Sequence, residues 1–216
     1  LAFGESNDTL FSRSIEPFRE MAAYEALWDN SKIGFKHLAE VFAKRPGAKP
    51  SDLVSPKKLQ FFLDFLEKKL LECSPELRPN IIIHNTLDYP NKLRDAVEPV
   101  ELLYYLGDLS LLNSRCIAVV GTRKPTVDGL RRTEKLVKLL IEDDFTIISG
   151  LAEGIDTQAH VTAIENKGMT VAVIGTPITE CYPKKNRTLQ DKIARNYLLL
   201  SQVPLWRYSI QNPYSN

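Results

Sequence analysis

The sequence predicts an α/β protein: a parallel sheet with helices on both faces, preceded by a small all-α region. Three observations carry this. Short apolar runs of 4–5 residues recur in the second part of the chain, each ending in a small residue. Between them lie segments with apolar residues at helical spacing. The first part of the chain shows helical periodicity alone. Continuous apolar strands alternating with amphipathic helices mark a sheet buried on both sides.

The helical region covers residues 1–78. Ser14, Ile15, Glu16 and Pro17 form a helix start, since proline suits the first turn. Phe18, Met21, Ala22, Glu25, Leu27 and Trp28 follow at mixed spacing. Ile33, Leu38, Val41 and Phe42 form a second set, and Ile33-Gly34 reads as the bend of a helical hairpin. Leu59, Phe62, Leu63, Leu66 and Leu70 make an amphipathic stripe. Pro46-Gly47 and Pro50-Ser51-Asp52 punctuate these helices. The first 30 residues hold six acids and two bases, net −4, which reads as a solvated helix face.

Residues 74–79 carry two prolines and read as a linker into a second domain, 79–216. There Ile81 to Ile83 is a β-branched run. Cys116 to Val120 runs into Gly121, Phe145 to Ile148 into Ser149 and Gly150, Val171 to Ile174 into Gly175, and Tyr197 to Leu200 into Ser201. Helical patterns separate them: Leu130, Val137, Leu140 and Ile141; Ile155, Ala159, Ala163 and Ile164; Leu189 and Ile193.

Composition sets bounds on function. With 44% hydrophobic and 25% charged residues the chain is globular. A net charge of +1 says nothing about partners by itself. No apolar run reaches the roughly 18 residues that span a bilayer. No signal peptide is visible at the N-terminus, and the first residue is Leu1, so a fragment is expected. Cys73, Cys116 and Cys181 are odd in number and lack C-x-x-C spacing, which fits a reducing cytoplasm and no disulfide framework. His37, His84 and His160 lack metal-ligand spacing, so no metal is expected. Dinucleotide, P-loop and nucleophile-elbow fingerprints are absent, so no cofactor is expected.

In an open parallel sheet, ligands bind beyond the carboxyl ends of the strands. Three loops belong there. The first, from Gly121, supplies Thr122, Arg123 and Lys124; a guanidinium fork at a strand tip matches phosphate oxygens. The second, Ser149 to Asp156, holds Gly150 and Gly154 ahead of a helix whose free N–H groups favour an anion. Those glycines equally suit a tight turn with no ligand. Asp156 complements the helix dipole, and His160, one turn later, reads as a hydrogen-bonded structural histidine. The third loop, from Gly175, carries Tyr182, Lys184, Lys185, Asn186 and Arg187, cations beside a ring, a mixture that suits single-stranded nucleic acid. Residues 113–138 hold seven bases and two acids, and residues 182–207 six bases and one acid, each net +5. Such charge flanking the ligand loops reads as a polyanion groove at one edge.

These segments together resemble the DNA-processing protein A family (DprA, or Smf). The likeness rests on V-V-G-T-R at 119–123, S-G-L-A-E-G-I-D-T-Q-A-H at 149–160, T-V-A-V-I-G at 170–175, Y-P-K-K-N at 182–186 and L-L-S-Q-V-P at 199–204. D-Y-P-N-K-L-R at 88–94 and L-L-Y-Y-L-G-D-L-S-L-L at 102–112 add to it. The resemblance implies a Rossmann-like core that binds single-stranded DNA without catalysis, contacts and loads the RecA recombinase, and forms homodimers. By motif position it places a DNA-phosphate pocket at Gly121, Thr122, Arg123, Ser149, Gly150, Gly154, Lys184 and Asn186. Lys124, Tyr182, Lys185 and Arg187 are further candidate contacts.

The chain departs from that family at several points. Thr122 stands for a usual Ser, Gln202 for a usual Glu, and Glu153 for a frequent Arg, which brings an acid to the expected phosphate site. The family's F-P-x-R-N segment is not found after Pro204, so an incomplete pocket and a lower DNA affinity are expected. Two other classes share the architecture. A nucleotide sensor would use the same anion site. A nucleoside-monophosphate phosphoribohydrolase would need a second acid beside Glu180, and none is adjacent.

Overall fold

The computed structural model describes residues 15–29, 34–84, 86, 89–94 and 100–205. Ser14, Ile33 and Arg207 lie outside them, as do Glu5, Asp8 and Arg13. In the helical region, α1 spans Pro17–Trp28, α2 Phe35–Ala43 and α3 Pro56–Leu71. Proline opens both α1 and α3, where its missing N–H has no helical partner to lose. α1 packs along α3. Ring contacts extend that packing, with Tyr24 edge-on to Trp28 at 6.1 Å and Trp28 to Phe35 at 4.6 Å.

The remaining elements are β1 (Asn80–Ile83), α4 (Asn91–Arg94), β2 (Leu102–Gly107), β3 (Arg115–Ala118), α5 (Val127–Glu142), β4 (Phe145–Ser149), α6 (Ile155–Glu165), β5 (Thr170–Ile174), α7 (Arg187–Asn196) and β6 (Leu198–Ser201). The sheet order is β1-β2-β6-β5-β4-β3. β3, β4, β5 and β6 are parallel to one another, as the alternation of strands and helices predicts. β2 is antiparallel to both its neighbours, so the sheet is mixed. That strand was not among the expected runs.

The strand register shows which face each helix covers. Ala172 pairs with Leu199, and Leu199 with Leu106, so these side chains share a face. Tyr104, Leu102, Leu199, Ala172 and Ile174 share one core with Met21, Tyr24, Leu66, Ile193 and Ala194. Val137, Ala159 and Ala163 pack on Val119 and Ile147 at the β3–β4 end. α1, α3, α5, α6 and α7 therefore lie on one face. Helices on both faces were expected, and the cover is uneven: among the described residues the opposite face carries short elements, α4 with Pro90 and Leu93 beside Leu103 and Leu200, and the turn Leu109–Asn113 through Leu109, Leu111 and Leu112. The cause is topological. β3 to β6 follow each other in one direction across the sheet, and right-handed crossovers moving one way put every helix on the same side.

A buried carboxylate ties the helical region to the sheet. Glu25 accepts hydrogen bonds from the Tyr104 hydroxyl and, at 2.7 Å, from the Leu205 N–H. Burial and the Glu25 charge hold the Tyr104 hydroxyl well above its ordinary pKa. Glu20, also buried, accepts from the Ser51 N–H and hydroxyl at 2.9 and 2.7 Å, fixing α1 to the turn at Pro50–Leu53.

Candidate functional site

The loops after β3, β4, β5 and β6 meet at the carboxyl edge around a cleft of about 850 Å³. Arg123 and Lys124 come from the first loop, Gly150, Glu153 and Asp156 from the second, Gly175, Thr176 and Tyr182 from the third, and Gln202 and Val203 from the segment after β6. Its floor is apolar: Leu103, Cys116, Ile148, Val173 and Leu200 come from the sheet face that carries no long helix. The side chains of Arg123, Lys124 and Tyr182 are exposed around it.

The glycine-rich turn is built by close approach. Gly154 has φ +82°, a left-handed conformation that L side chains rarely adopt, and a Cβ there would collide with the Thr122 carbonyl. The Ile155 N–H donates to that carbonyl at 3.2 Å, which joins the first and second loops. A Cβ on Gly121 would come within 2.7 Å of Ile155. Thr122 uses its hydroxyl to accept from the Lys124 N–H at 3.2 Å.

Asp156 occupies the cradle that these turns create. Its buried carboxylate accepts from the N–H groups of Gly150 at 3.1 Å, Gly121 at 3.4 Å and Ala152 at 3.4 Å. A carboxylate in the first turn of α6 is also favoured by the helix dipole. The amides that sequence reasoning reserved for a phosphate thus already hold an internal anion. No bond joins Asp156 to His160. The His160 Nδ1 lies 2.7 Å from the Thr170 hydroxyl, which donates to the Ile147 carbonyl. Burial lowers the His160 pKa to about 4, so the ring is neutral.

The other expected contacts divide into inward and outward groups. The Ser149 hydroxyl is buried and donates to the Val119 carbonyl at 2.7 Å. Asn186 is buried and its amide donates to the Leu151 carbonyl and the Thr157 hydroxyl, each at 2.9 Å. Both side chains therefore brace the loops and face protein. Lys184, Lys185 and Arg187 are exposed at the start of α7. The Lys185 ammonium lies 3.0 Å from the Glu153 carboxylate, an ion pair that bridges the second and third loops.

The charge arithmetic along the chain overstated how tightly the cations gather. α5 has 16 residues, about 24 Å at 1.5 Å each, and runs from the cleft edge to the far edge of the sheet. Lys138, eleven residues along it from Val127 and so about 17 Å from the cleft end, pairs with Glu134 at 2.6 Å. Arg115, at the amino end of β3, stacks on Phe145 with 4.3 Å to the ring centroid. The cations of the edge are those of the loops.

Sequence reasoning missed Glu101. Its carboxyl lies 3.8 Å from the His84 ring, and burial pushes its pKa up to about 7. It lines a smaller cleft of about 260 Å³ with Tyr24, Phe35, Leu38 and Gln202. A lone glutamate before a strand gives no sequence signal of this. Glu180 is exposed and does not line the main cleft.

Comparison with known proteins places this edge in a family. The family model described as DNA recombination-mediator protein A matches residues 80–214. Protein Smf of Synechocystis sp. is 39% identical over 141 residues, covering 63% of this chain and 35% of that protein. DNA processing protein DprA of Streptococcus pneumoniae is 45% identical over 114 residues, covering 53% of this chain and 40% of that protein. DNA processing protein DprA of Bacillus subtilis is 35% identical over 140 residues, 62% of this chain and 47% of that protein. The chain thus spans about a third to a half of the length of these relatives. The X-ray structure of DprA from S. pneumoniae superposes with a TM-score of 0.60 at 29% identity, over 89% of this chain and 65% of that one. The DprA structure from Helicobacter pylori, described for its single-stranded DNA binding mode, gives 0.50 at 28% identity, over 57% of this chain and 55% of that one. Since the matched segment takes in every strand of the sheet and all three loops of the cleft, the chain belongs to the DNA recombination-mediator protein A family.

Proposed function

We propose that this chain binds single-stranded DNA across the carboxyl edge of its sheet without catalysing a reaction on it. In the whole protein this serves a recombination mediator that works in the cytoplasm as a homodimer and loads the RecA recombinase. The observation that carries the reading is the grouping of Arg123, Lys124 and Tyr182 around one cleft, with Lys184 and Lys185 on the adjoining turn. Cations track phosphates and an exposed ring offers a base a stacking surface. Gly121, Thr122, Gly150 and Gly154 shape the first two loops, while Ser149 and Asn186 act by holding them in place. The relative from H. pylori, whose structure is described for single-stranded DNA binding, supports the ligand class.

The non-catalytic reading has a physical basis. Of the two carboxylates at the cleft, Asp156 is held by backbone amides and Glu153 by Lys185. Neither is placed as one of a pair of acid and base groups. A second reading is a sensor of one phosphorylated nucleotide, favoured by a cleft of about 850 Å³, which is of small-ligand size.

A fluorescence-anisotropy titration separates the two. A labelled single strand of about 35 nucleotides should bind, with log affinity falling against log salt by about 0.7 per phosphate contacted. AMP should not displace it. Displacement by AMP would favour the sensor, and absence of strand binding by a longer chain carrying the family's next segment would remove the DNA reading.

A further inference from the structure

The glycine-rich turn presents acid where the strand-binding reading wants cations. Asp156 faces inward and takes three amides, so the start of α6 offers an incoming phosphate few free donors. Glu153 faces outward at the cleft and takes Lys185, with 43% and 62% of the two side chains exposed. Its partner belongs to the turn that also carries Lys184. An exposed pair of this kind adds little net stability, so it yields readily to a competing anion.

We propose that Glu153 is an affinity-setting residue of the strand-binding edge, an internal anion that occupies Lys185 and that a phosphodiester must displace. This rests on the strand-binding reading. A strand that reaches Lys185 breaks one ion pair to make another, and the freed Glu153 carboxylate stays beside the phosphate. Both effects lower the return from that contact. The edge is thereby tuned towards strands long enough to engage Arg123, Lys124 and Lys184 as well, and against single phosphates whose one contact is Lys185.

The test is Glu153→Gln in the full chain, titrated against the same labelled strand. Glu153→Gln removes the internal competitor for Lys185, so affinity should rise, by up to about fivefold, while the salt slope stays nearly unchanged, because a strand that reaches Lys185 releases the same counterions from its phosphates in both proteins. In a Lys185→Gln background the same substitution should have almost no effect. Glu67→Gln, an exposed charge change on α3, should leave affinity unchanged. If wild type binds and Glu153→Gln matches it, the inference fails and the strand-binding reading stands. A gain of the same size in the Lys185→Gln background also overturns it, since general charge would then suffice. If no variant binds, in this chain or in a longer one carrying the family's next segment, the strand-binding reading fails and takes this inference with it.

Discussion

Asp156 shows most clearly how residue type and residue role part company. A carboxylate in the first turn of a helix was legible in the sequence as a dipole partner. What the sequence could not show is that it folds back onto three amides from two loops. Ser149 and Asn186 present the same case, since a hydroxyl or amide beside a phosphate motif serves an internal carbonyl equally well. Direction is set by which neighbour arrives, and the neighbours are distant in sequence. Asp156→Asn puts an NH2 group against N–H donors and removes the buried charge. It should cost about 1–3 kcal/mol, the usual scale for leaving buried donors without an acceptor. Chemical denaturation would read it as a lower midpoint with an unchanged slope. If Asp156→Asn unfolded like wild type and gained affinity for inorganic phosphate, the cradle would be a ligand site and not a structural one.

Strands and helices were more legible than contacts. The runs ending in Gly121, Ser149, Gly175 and Ser201 gave the four parallel strands because a strand buried on both sides leaves a continuous apolar signature. Small shifts at their ends remain, as with β3, which spans Arg115–Ala118. β2 escaped because nothing in Leu102–Gly107 distinguishes a strand paired antiparallel from an apolar approach to the next element. The three helices of the first part follow their stripes closely, and α1 lies along α3; the hairpin expected at Ile33-Gly34 falls partly outside the described residues. Leu66 of α3 is fully buried in the core that also contains Tyr104 and Leu199. Leu66→Ala should lower stability by about 2–5 kcal/mol. Far-UV circular dichroism and tryptophan fluorescence should still report one coincident transition. Two separated transitions would show that the helical region and the sheet do not unfold together.

At the scale of the molecule, the fold gathers four loops at one edge and leaves one sheet face with little helical cover, and the cleft lies where the two meet. The position of that edge was legible from strand order alone, because crevices form beyond the carboxyl ends of parallel strands. The balance of charge was not, since a linear count cannot see that α5 carries its later cations away from the cleft edge. That difference also locates the decisive comparison. Arg123 stands at the cleft, and Lys138 lies on α5 about 17 Å along the helix from its cleft end. Arg123→Ala and Lys138→Ala remove the same charge, so strand affinity measured for both, on several unrelated sequences and at two salt concentrations, tests whether the carboxyl edge is the DNA surface. The account predicts that Arg123→Ala weakens binding about fivefold near 0.1 M salt, equally for all sequences, with the salt slope reduced by about 0.7, because a phosphate contact carries no base information. Lys138→Ala should match wild type. Equal losses from the two substitutions, or a loss from Lys138→Ala alone, would contradict it.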